Sequence, residues 1–592
     1  SDGQSAEITQ TSAQEGYLSN KTTLENLQPG TTYYYQVEGK EIESFTTDDD
    51  TSDFSFIFVG DPQIGSSNEE KAKTPEDIQK PTFLTAQSEA VRNDTFNWNY
   101  TLNRAYSRTG NSAGFILSSG DQIQTNAEKV EDGTVSEMEY AGYLSPDIMK
   151  SVPVATTVGN HDADNANYTY HFNTANLSSL GDNGYVGGDY YFTYGDALFI
   201  ILNTQDTNVS EHKQFIEDTV AANPECKWRI VTLHQDIYGS AEHSNEPEIT
   251  NLRYSLVPIF EENDVDIVLT GHDHAYSRTK ILKGGQSTTE FEYTDDEFDE
   301  QLDKDVDVGD STETRYEAPA NIQDDTTDPA EQRYLEYLYS VMDDEAVQEL
   351  TENQDVAVNP DGIMYLTAGS SSGSKYYDLV PRQQTYIASR WQMDVPTYSV
   401  IDLTETTLTV NTYRTDTDEP IDSQFMIVKS ADHSQLTDLI SQAEALSADD
   451  YTEDSYSVMQ QALEAATAVN NDAQATTEEL TNAYTALKSA IDALVEKPVQ
   501  TPTDDEQNGT TTDPSQNGTT TDPSQNGTTE NPSQNGSGQG NKNTSAAGVN
   551  EKPSTVKPVK TGDYTSVVIP AAALVLAAAA GGTTFYIRRK RS

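Results

Sequence analysis

The chain has 592 residues, too many for one ordinary domain and suited to three or four units. Its hydrophobic fraction of 34% is low, so part of it cannot pack into a core, and its net charge of −63, from 98 acidic and 35 basic residues, disfavours nucleic acid as a partner. Cys226 is the single cysteine, which excludes an intrachain disulfide.

Ser1 opens the sequence with neither Met nor the apolar stretch of a signal peptide. Residues 1–50 mix strand formers with turn residues. Leu27-Gln28-Pro29-Gly30 is a turn signal, and Thr31-Thr32-Tyr33-Tyr34-Tyr35-Gln36-Val37 reads as a strand. The stretch from Leu24 to Val37 resembles the end of a fibronectin type III domain. Such a sandwich needs about 100 residues, so the resemblance implies a partial domain acting as scaffold.

From Asp53 to about residue 280 the pattern is strand, loop, helix, repeated. Five apolar runs each stop at a polar cluster. Phe54–Val59 ends at Gly60-Asp61-Pro62-Gln63, and Gly114–Leu117 at Gly120-Asp121-Gln122-Ile123-Gln124. Val152–Ala155 ends at Gly159-Asn160-His161-Asp162, Trp228–Leu233 at His234, and Ile267–Leu269 at Gly271-His272-Asp273-His274. Helical segments are expected near 83–107, 136–150, 211–223 and 250–262. This alternation predicts a layered α/β fold, a largely buried β-sandwich flanked by helices, with the site beyond the strand carboxyl ends. Residues 283–360 are acid-rich and read as a surface insertion, helical near 332–351, with no assigned chemistry. Gly362–Gly369 and segments near 397–403, 406–413 and 423–429 supply further strands and complete a domain over 53–430.

Residues 435–497 switch to helical period, with Leu436, Leu439, Ile440, Ala443 and Leu446 opening the first of three amphipathic helices. Their spacing, with Tyr451-Thr452 before the second, resembles the FIVAR modules of Gram-positive surface proteins. The resemblance implies a glycan- or partner-binding module or, more plainly, a spacer. Residues 498–557 form a polar linker in which Asn-Gly-Thr-Thr recurs at Asn508, Asn517 and Asn526, and Asn-Gly again at Asn535. Without apolar residues it is expected to stay disordered, as a stalk. The last segment, 558–592, carries 24 uncharged residues from Tyr564 to Ile587, enough to span a bilayer, followed by Arg588-Arg589-Lys590-Arg591. Pro558-Val559-Lys560-Thr561-Gly562 ahead of it resembles a relaxed sortase signal. That implies an extracellular, cell-wall-anchored protein of a Gram-positive surface, with sortase and peptidoglycan as partners and membrane contact only through 564–587 before processing. A plain tail anchor is the alternative.

Only eight histidines occur in the chain, and His161, His234, His272 and His274 all stand at the strand ends, with His243 nine residues after His234. In an extended segment His272 and His274 would point the same way, each serving one of two adjacent ions. Asp61, Asp121 and Asn160 join them. Carboxylate and imidazole together suit divalent Mn, Zn or Fe, and a bridging Asp121 would hold two ions about 3.5–4 Å apart, the arrangement that clamps a displacement at phosphorus.

The ordered set Gly60-Asp61, Gly120-Asp121, Gly159-Asn160-His161, His234 and Gly271-His272-Asp273-His274 resembles the calcineurin-like metallophosphoesterase family over about residues 53–430. The fibronectin-like lead-in and the spacing from His234 to His243 point to its purple acid phosphatase branch. The resemblance implies that Asp61, Asp121 and His274 hold one metal, and that Asp121 bridges to a second held by Asn160, His234 and His272. A metal-activated hydroxide would attack phosphorus, while His161 and His243 bind phosphoryl oxygens and one of them protonates the leaving alkoxide. Gln124 stands where that branch has an iron-binding tyrosine, and Gln63 where the wider family often has histidine. Fe(III) is therefore disfavoured against a divalent ion, with either glutamine offering its amide oxygen. The leading expectation is an extracellular phosphatase acting on small phosphate monoesters. A phosphodiesterase or nucleotidase, and a surface adhesin with an inactive phosphatase-like domain, are the alternatives.

Overall fold

The computed structural model describes residues 7–13, 16–70, 75–125, 134–163, 166–285, 293–306, 316–342, 347–348, 355–429, 433–471, 475 and 477–497. The repeat linker, the Pro558–Gly562 motif and the apolar segment 564–587 lie outside the described residues. Among the described residues, no helix is long and apolar enough to cross a membrane.

Fourteen strands of the central domain are numbered in chain order: β1 (Phe54–Val59), β2 (Ala113–Ser118), β3 (Val154–Thr156), β4 (Tyr190–Tyr194), β5 (Ala197–Ile201), β6 (Trp228–Thr232) and β7 (Ile267–Thr270), then β8 (Tyr276–Thr279), β9 (Val356–Val358), β10 (Met364–Thr367), β11 (Ile387–Trp391), β12 (Thr397–Leu403), β13 (Thr407–Arg414) and β14 (Phe425–Val428). They build two seven-stranded mixed sheets, one ordered β9-β14-β13-β12-β1-β2-β3 and the other β11-β8-β10-β7-β6-β5-β4. At the heart of the first, β1 and β2 and then β2 and β3 run parallel. At the heart of the second, β5, β6, β7 and β10 are mutually parallel. The strands that end in polar clusters therefore run parallel to one another within each sheet, β3 at an edge and the others inside, and all deliver their loops to one edge of the sandwich.

Alternation explains the layering. Phe56 and Phe58 of β1, Phe115 and Leu117 of β2, and Ile267 and Leu269 of β7 meet Phe199, Ile201 and Leu366 in one core between the sheets. Their neighbours Ile57, Val59 and Ile116 face outward against helix α1 (Pro81–Arg108), where Trp98, Leu102 and Ala105 cover them. Val231 and Val268 face outward on the second sheet against α3 (Val209–Ala222) and α4 (Pro247–Glu262). The expected helix at 136–150 is two pieces, α2 (Thr134–Tyr143) and a 3-10 turn Asp147–Lys150, because Pro146 opens a new turn between them.

Two features depart from the sequence reading. Strands β4 and β5 form an antiparallel hairpin at the edge of the second sheet that was not expected, and β8 and β11 close its other edge. The acid-rich insertion is also more than a surface excursion. Its helices α5 (Asp295–Val306) and α6 (Pro329–Met342) bury Phe298, Leu302, Val306, Tyr334, Leu338 and Val341 in a core of their own, and the helix expected over 332–351 lies at 329–342. The leading residues form two antiparallel hairpins, Thr9–Ser12 with Leu18–Lys21 and Thr32–Gln36 with Ile42–Thr46. After the domain, α7 (His433–Glu444), α8 (Glu453–Asn470) and α9 (Thr477–Asp492) pack around Leu436, Leu439, Ile440, Met459, Ala466, Leu480 and Leu487.

Candidate metal centre

Every sequence-predicted ligand lies at the shared edge where β1, β2, β3, β6 and β7 run out. Asp61, Asp121, His234 and His274 are buried. The backbone turns sharply here: Asp61, Asp121, His272 and His274 have φ of 45°, 49°, 72° and 52°, the left-handed region that costs L residues about 1–3 kcal/mol. His272 and His274 are thus not in an extended segment, and they serve different neighbours. The carboxylates stabilise these turns by accepting backbone N–H groups. The His272 N–H donates to Asp61 Oδ1 and Oδ2, 3.0 Å from each, and the His161 N–H to Asp121 Oδ1 at 2.9 Å. Gly159 is required by close approach, since a Cβ there would lie 2.1 Å from Asp121 Oδ1.

Second-layer contacts fix the imidazoles. His234 donates from Nδ1 to the Ser119 carbonyl at 2.9 Å, which leaves Nε2 with a lone pair. That Nε2 lies 3.0 Å from Asn160 Oδ1, 3.2 Å from His272 Nδ1 and 3.4 Å from Asp121 Oδ2. His274 donates from Nδ1 to the Lys375 carbonyl at 3.0 Å and turns Nε2 toward Asp61 Oδ1 at 3.5 Å. Donors held at about 2.0–2.2 Å from one ion stand about 3.0–3.5 Å from one another, so atoms at these separations could share an ion. Two overlapping groups result, Asp121 with His234 and His272, and Asp61 with Asp121 and His274, sharing the Asp121 carboxylate.

The electrostatics of the cluster favour added positive charge. Burial is the largest influence on Asp61 and, reinforced by the Asp121 charge, pushes its carboxyl up to about 8. Burial opposes the charged form of His234, but Asp121 and Asp61 override it and raise the imidazole to about 9. Without a cation, a proton on His234 is the charge the site can recruit. His272 and His274 are held well below the ordinary histidine range, by burial first and then by His243 and Lys375 respectively, so both stay neutral as metal ligands must.

The remaining predicted residues flank this centre. His161 donates from Nδ1 to the Gln124 carbonyl at 2.5 Å and carries Nε2 3.9 Å from Asp121 Oδ2. The His243 ring lies tilted 4.7 Å from the His272 ring and edge-on 4.7 Å from Tyr377. Burial opposes its charge, yet Glu246 at 2.7 Å from Nδ1 raises it well above the usual range, so it is cationic. Gln63 is buried with neither amide atom hydrogen-bonded, and the Gln124 amide oxygen is likewise unpartnered.

Sequence reasoning missed the loop after β10. Ser370 Oγ donates to the Asp61 carbonyl at 3.1 Å, and Ser372 Oγ to the Pro62 carbonyl at 2.5 Å, while Lys375 fixes His274. The signal was present: Ser370-Ser371-Ser372-Gly373-Ser374 follows an apolar strand directly, as the other clusters do.

Two donor groups that share one carboxylate, set at the strand ends of a two-sheet α/β sandwich, are an arrangement that could hold two metal ions. Residues 54–276 match the family model for the calcineurin-like phosphoesterase, and the chain carries a calcineurin-like metallophosphoesterase domain. The chain is similar to purple acid phosphatase 4 of Arabidopsis thaliana, 26% identical over 181 residues that make up 27% of this chain and 52% of that protein. It is 38% identical to purple acid phosphatase 18 of the same plant over 60 residues, 10% of this chain and 14% of that one. The chain thus spans about half the length of the first of these relatives and far less of the second. Among solved structures, the purple acid phosphatase PPD1 of yellow lupin (Lupinus luteus) seeds is similar at a TM-score of 0.41 and 14% identity, covering 69% of this chain and 61% of that one.

Proposed function

We propose that the chain is an extracellular, cell-wall-anchored phosphatase that hydrolyses phosphate monoesters with two divalent ions. Asp61, Asp121 and His274 hold one ion, and Asp121, Asn160, His234 and His272 the other. The observation that carries this reading is the convergence of His234 Nε2, His272 Nδ1, Asn160 Oδ1 and Asp121 Oδ2 at 3.0–3.4 Å from that Nε2, with the Nδ1 proton of His234 committed elsewhere. When bound, the two ions neutralise phosphoryl oxygens and make water nucleophilic toward phosphorus.

The chain's own residues do the rest. Cationic His243 binds a non-bridging oxygen of the ester from the second-ion side. His161, whose Nδ1–H donates to the Gln124 carbonyl, must be an imidazolium to act as the acid: it then passes its Nε2 proton to the leaving alkoxide and is left as the neutral Nδ1–H tautomer. With glutamine at position 124 in place of a phenolate, the first site suits Mn or Zn over Fe(III). Preference for monoesters rests on the likeness to proteins named purple acid phosphatases. Anchoring rests on Pro558–Gly562 and the uncharged run 564–587. The leading hairpins are a partial fibronectin type III-like scaffold, and α7–α9 a FIVAR-like spacer.

The test is turnover by the full chain loaded with Mn or Zn, on an aryl phosphate monoester and on the matching diester. A higher kcat/KM on the monoester, abolished by Asp121→Asn together with loss of metal, is expected. Metal-loaded protein that is inert or prefers the diester would refute the reading.

A further inference from the structure

Asp273 sits between His272 and His274 and is fully buried. Its carboxylate does not face the donor cluster. Oδ1 accepts the backbone N–H of His243 at 3.0 Å, and Oδ2 accepts those of Ser240 at 3.1 Å and Ala241 at 2.5 Å. One side chain therefore receives three amides of a single loop, the turn whose product is the position of the His243 ring. The ring packs back on His272, the residue immediately before Asp273.

The surroundings leave this turn no slack. Asp236 is fully buried at its start, and its backbone carbonyl accepts the Gly239 N–H at 3.0 Å. Gly239 lies between the two carboxyls, and a Cβ there would fall 2.0 Å from Asp236 Oδ2 and 2.8 Å from Asp273 Oδ2. From the far side, buried Arg253 on α4 donates to the Ile237 carbonyl, to the Ser244 carbonyl at 2.9 Å, and to the Val341 carbonyl of α6 at 2.8 Å.

We propose that Asp273 is a positioning residue: it suspends the His243 turn from the same peptide segment that carries two metal ligands, so the phosphoryl-binding imidazole is held in register with the ions. This rests on the reading of His243 as a phosphoryl ligand. Charge-assisted bonds from three amides to one carboxylate are stronger than neutral ones. A side-chain amide in place of the carboxylate cannot reproduce them. Whichever way that amide were flipped, its NH2 would face N–H donors, either that of His243 or those of Ser240 and Ala241.

The experiment uses the full chain loaded with Mn, and measures metal content and the Kd of inorganic phosphate by calorimetry. Asp273→Asn is expected to keep its metals and to bind phosphate about tenfold more weakly, as is His243→Ala. Because Asp273 acts through His243, the double variant should lie within about twofold of His243→Ala alone. If His243→Ala leaves phosphate binding intact, the role of His243 fails and this inference with it. If His243→Ala weakens binding but Asp273→Asn does not, loses metal, or multiplies with it, the inference on Asp273 alone is overturned. Should Asp273→Asn not fold, Gly239→Ala, whose Cβ would press on the carboxyls of Asp236 and Asp273 and shift the turn while keeping the Asp273 carboxylate, is read against the same outcomes.

Discussion

Chelating the metals and raising the pH should destabilise the protein through the donor cluster itself. In the metal-free protein His234 rises from an ordinary 6.5 to about 9, so its contribution is complete below pH 6.5 and lost as pH climbs through 9. At about 1.4 kcal/mol for each tenfold change in proton affinity, that one imidazole is worth roughly 3 kcal/mol. Asp61 works in the same direction. Its carboxyl stands at about 8 instead of 3.8, so the folded metal-free protein holds a proton the unfolded chain has released, and stability falls as pH rises from 4 through 8. A bound cation replaces those protons and grows tighter as they leave. Buried Asp94 and Glu139, at about 7 and about 8, also weaken the fold as pH rises, but equally with or without metal. The quantity to follow is therefore the difference in unfolding free energy between Mn-loaded and chelated protein, from denaturant titrations at pH 5, 7 and 9. It should widen with pH by about 3 kcal/mol or more, and the widening should vanish in Asp121→Asn. A difference that stays flat or narrows from pH 5 to 9 would refute the placement of a cation between these residues.

Gly159→Ala should strip metal and activity together, because its Cβ would occupy the space of Asp121 Oδ1, and metal analysis of the purified variant checks this. Iron-loaded protein should show no visible charge-transfer band, since Gln124 supplies no phenolate, and an absorption spectrum decides it. Arg253→Met should cost about 3 kcal/mol, since it leaves buried carbonyls of Ile237, Ser244 and Val341 without donors. Chemical denaturation measures that loss.

The candidate donors were legible because three of them are among only eight histidines and all stand where an apolar run breaks. Phe54–Val59 cannot continue past Gly60-Asp61, and that interruption is visible without neighbours. The conformation of His272 and His274 was not legible: strand alternation does not extend past Gly271, where the chain turns through positive φ to meet the Asp61 carboxylate. The β4–β5 hairpin had a signal in Gly195-Asp196, a two-residue turn between Tyr190–Tyr194 and Ala197–Ile201, but it ends at no polar cluster and so does not stand out. In the insertion, Phe298, Leu302 and Val306 recur every fourth residue, yet abundant Asp and Glu around them hide the stripe. Asp273 was hidden for a different reason. Its partners lie 30 to 33 residues away in sequence, and no local pattern announces three amides converging on one carboxylate.

The two sheets contribute unequally shaped halves to the donor cluster. Asp61, Asp121 and Asn160 follow strands of the first sheet, whereas His234, His272 and His274 follow strands of the second. Oxygen donors come from one layer and nitrogen donors from the other, and each of the two candidate donor groups draws on both layers. An ion seated there acts as a rivet through the sandwich, and its retention would report, like a strain gauge, any slippage of one layer over its mate.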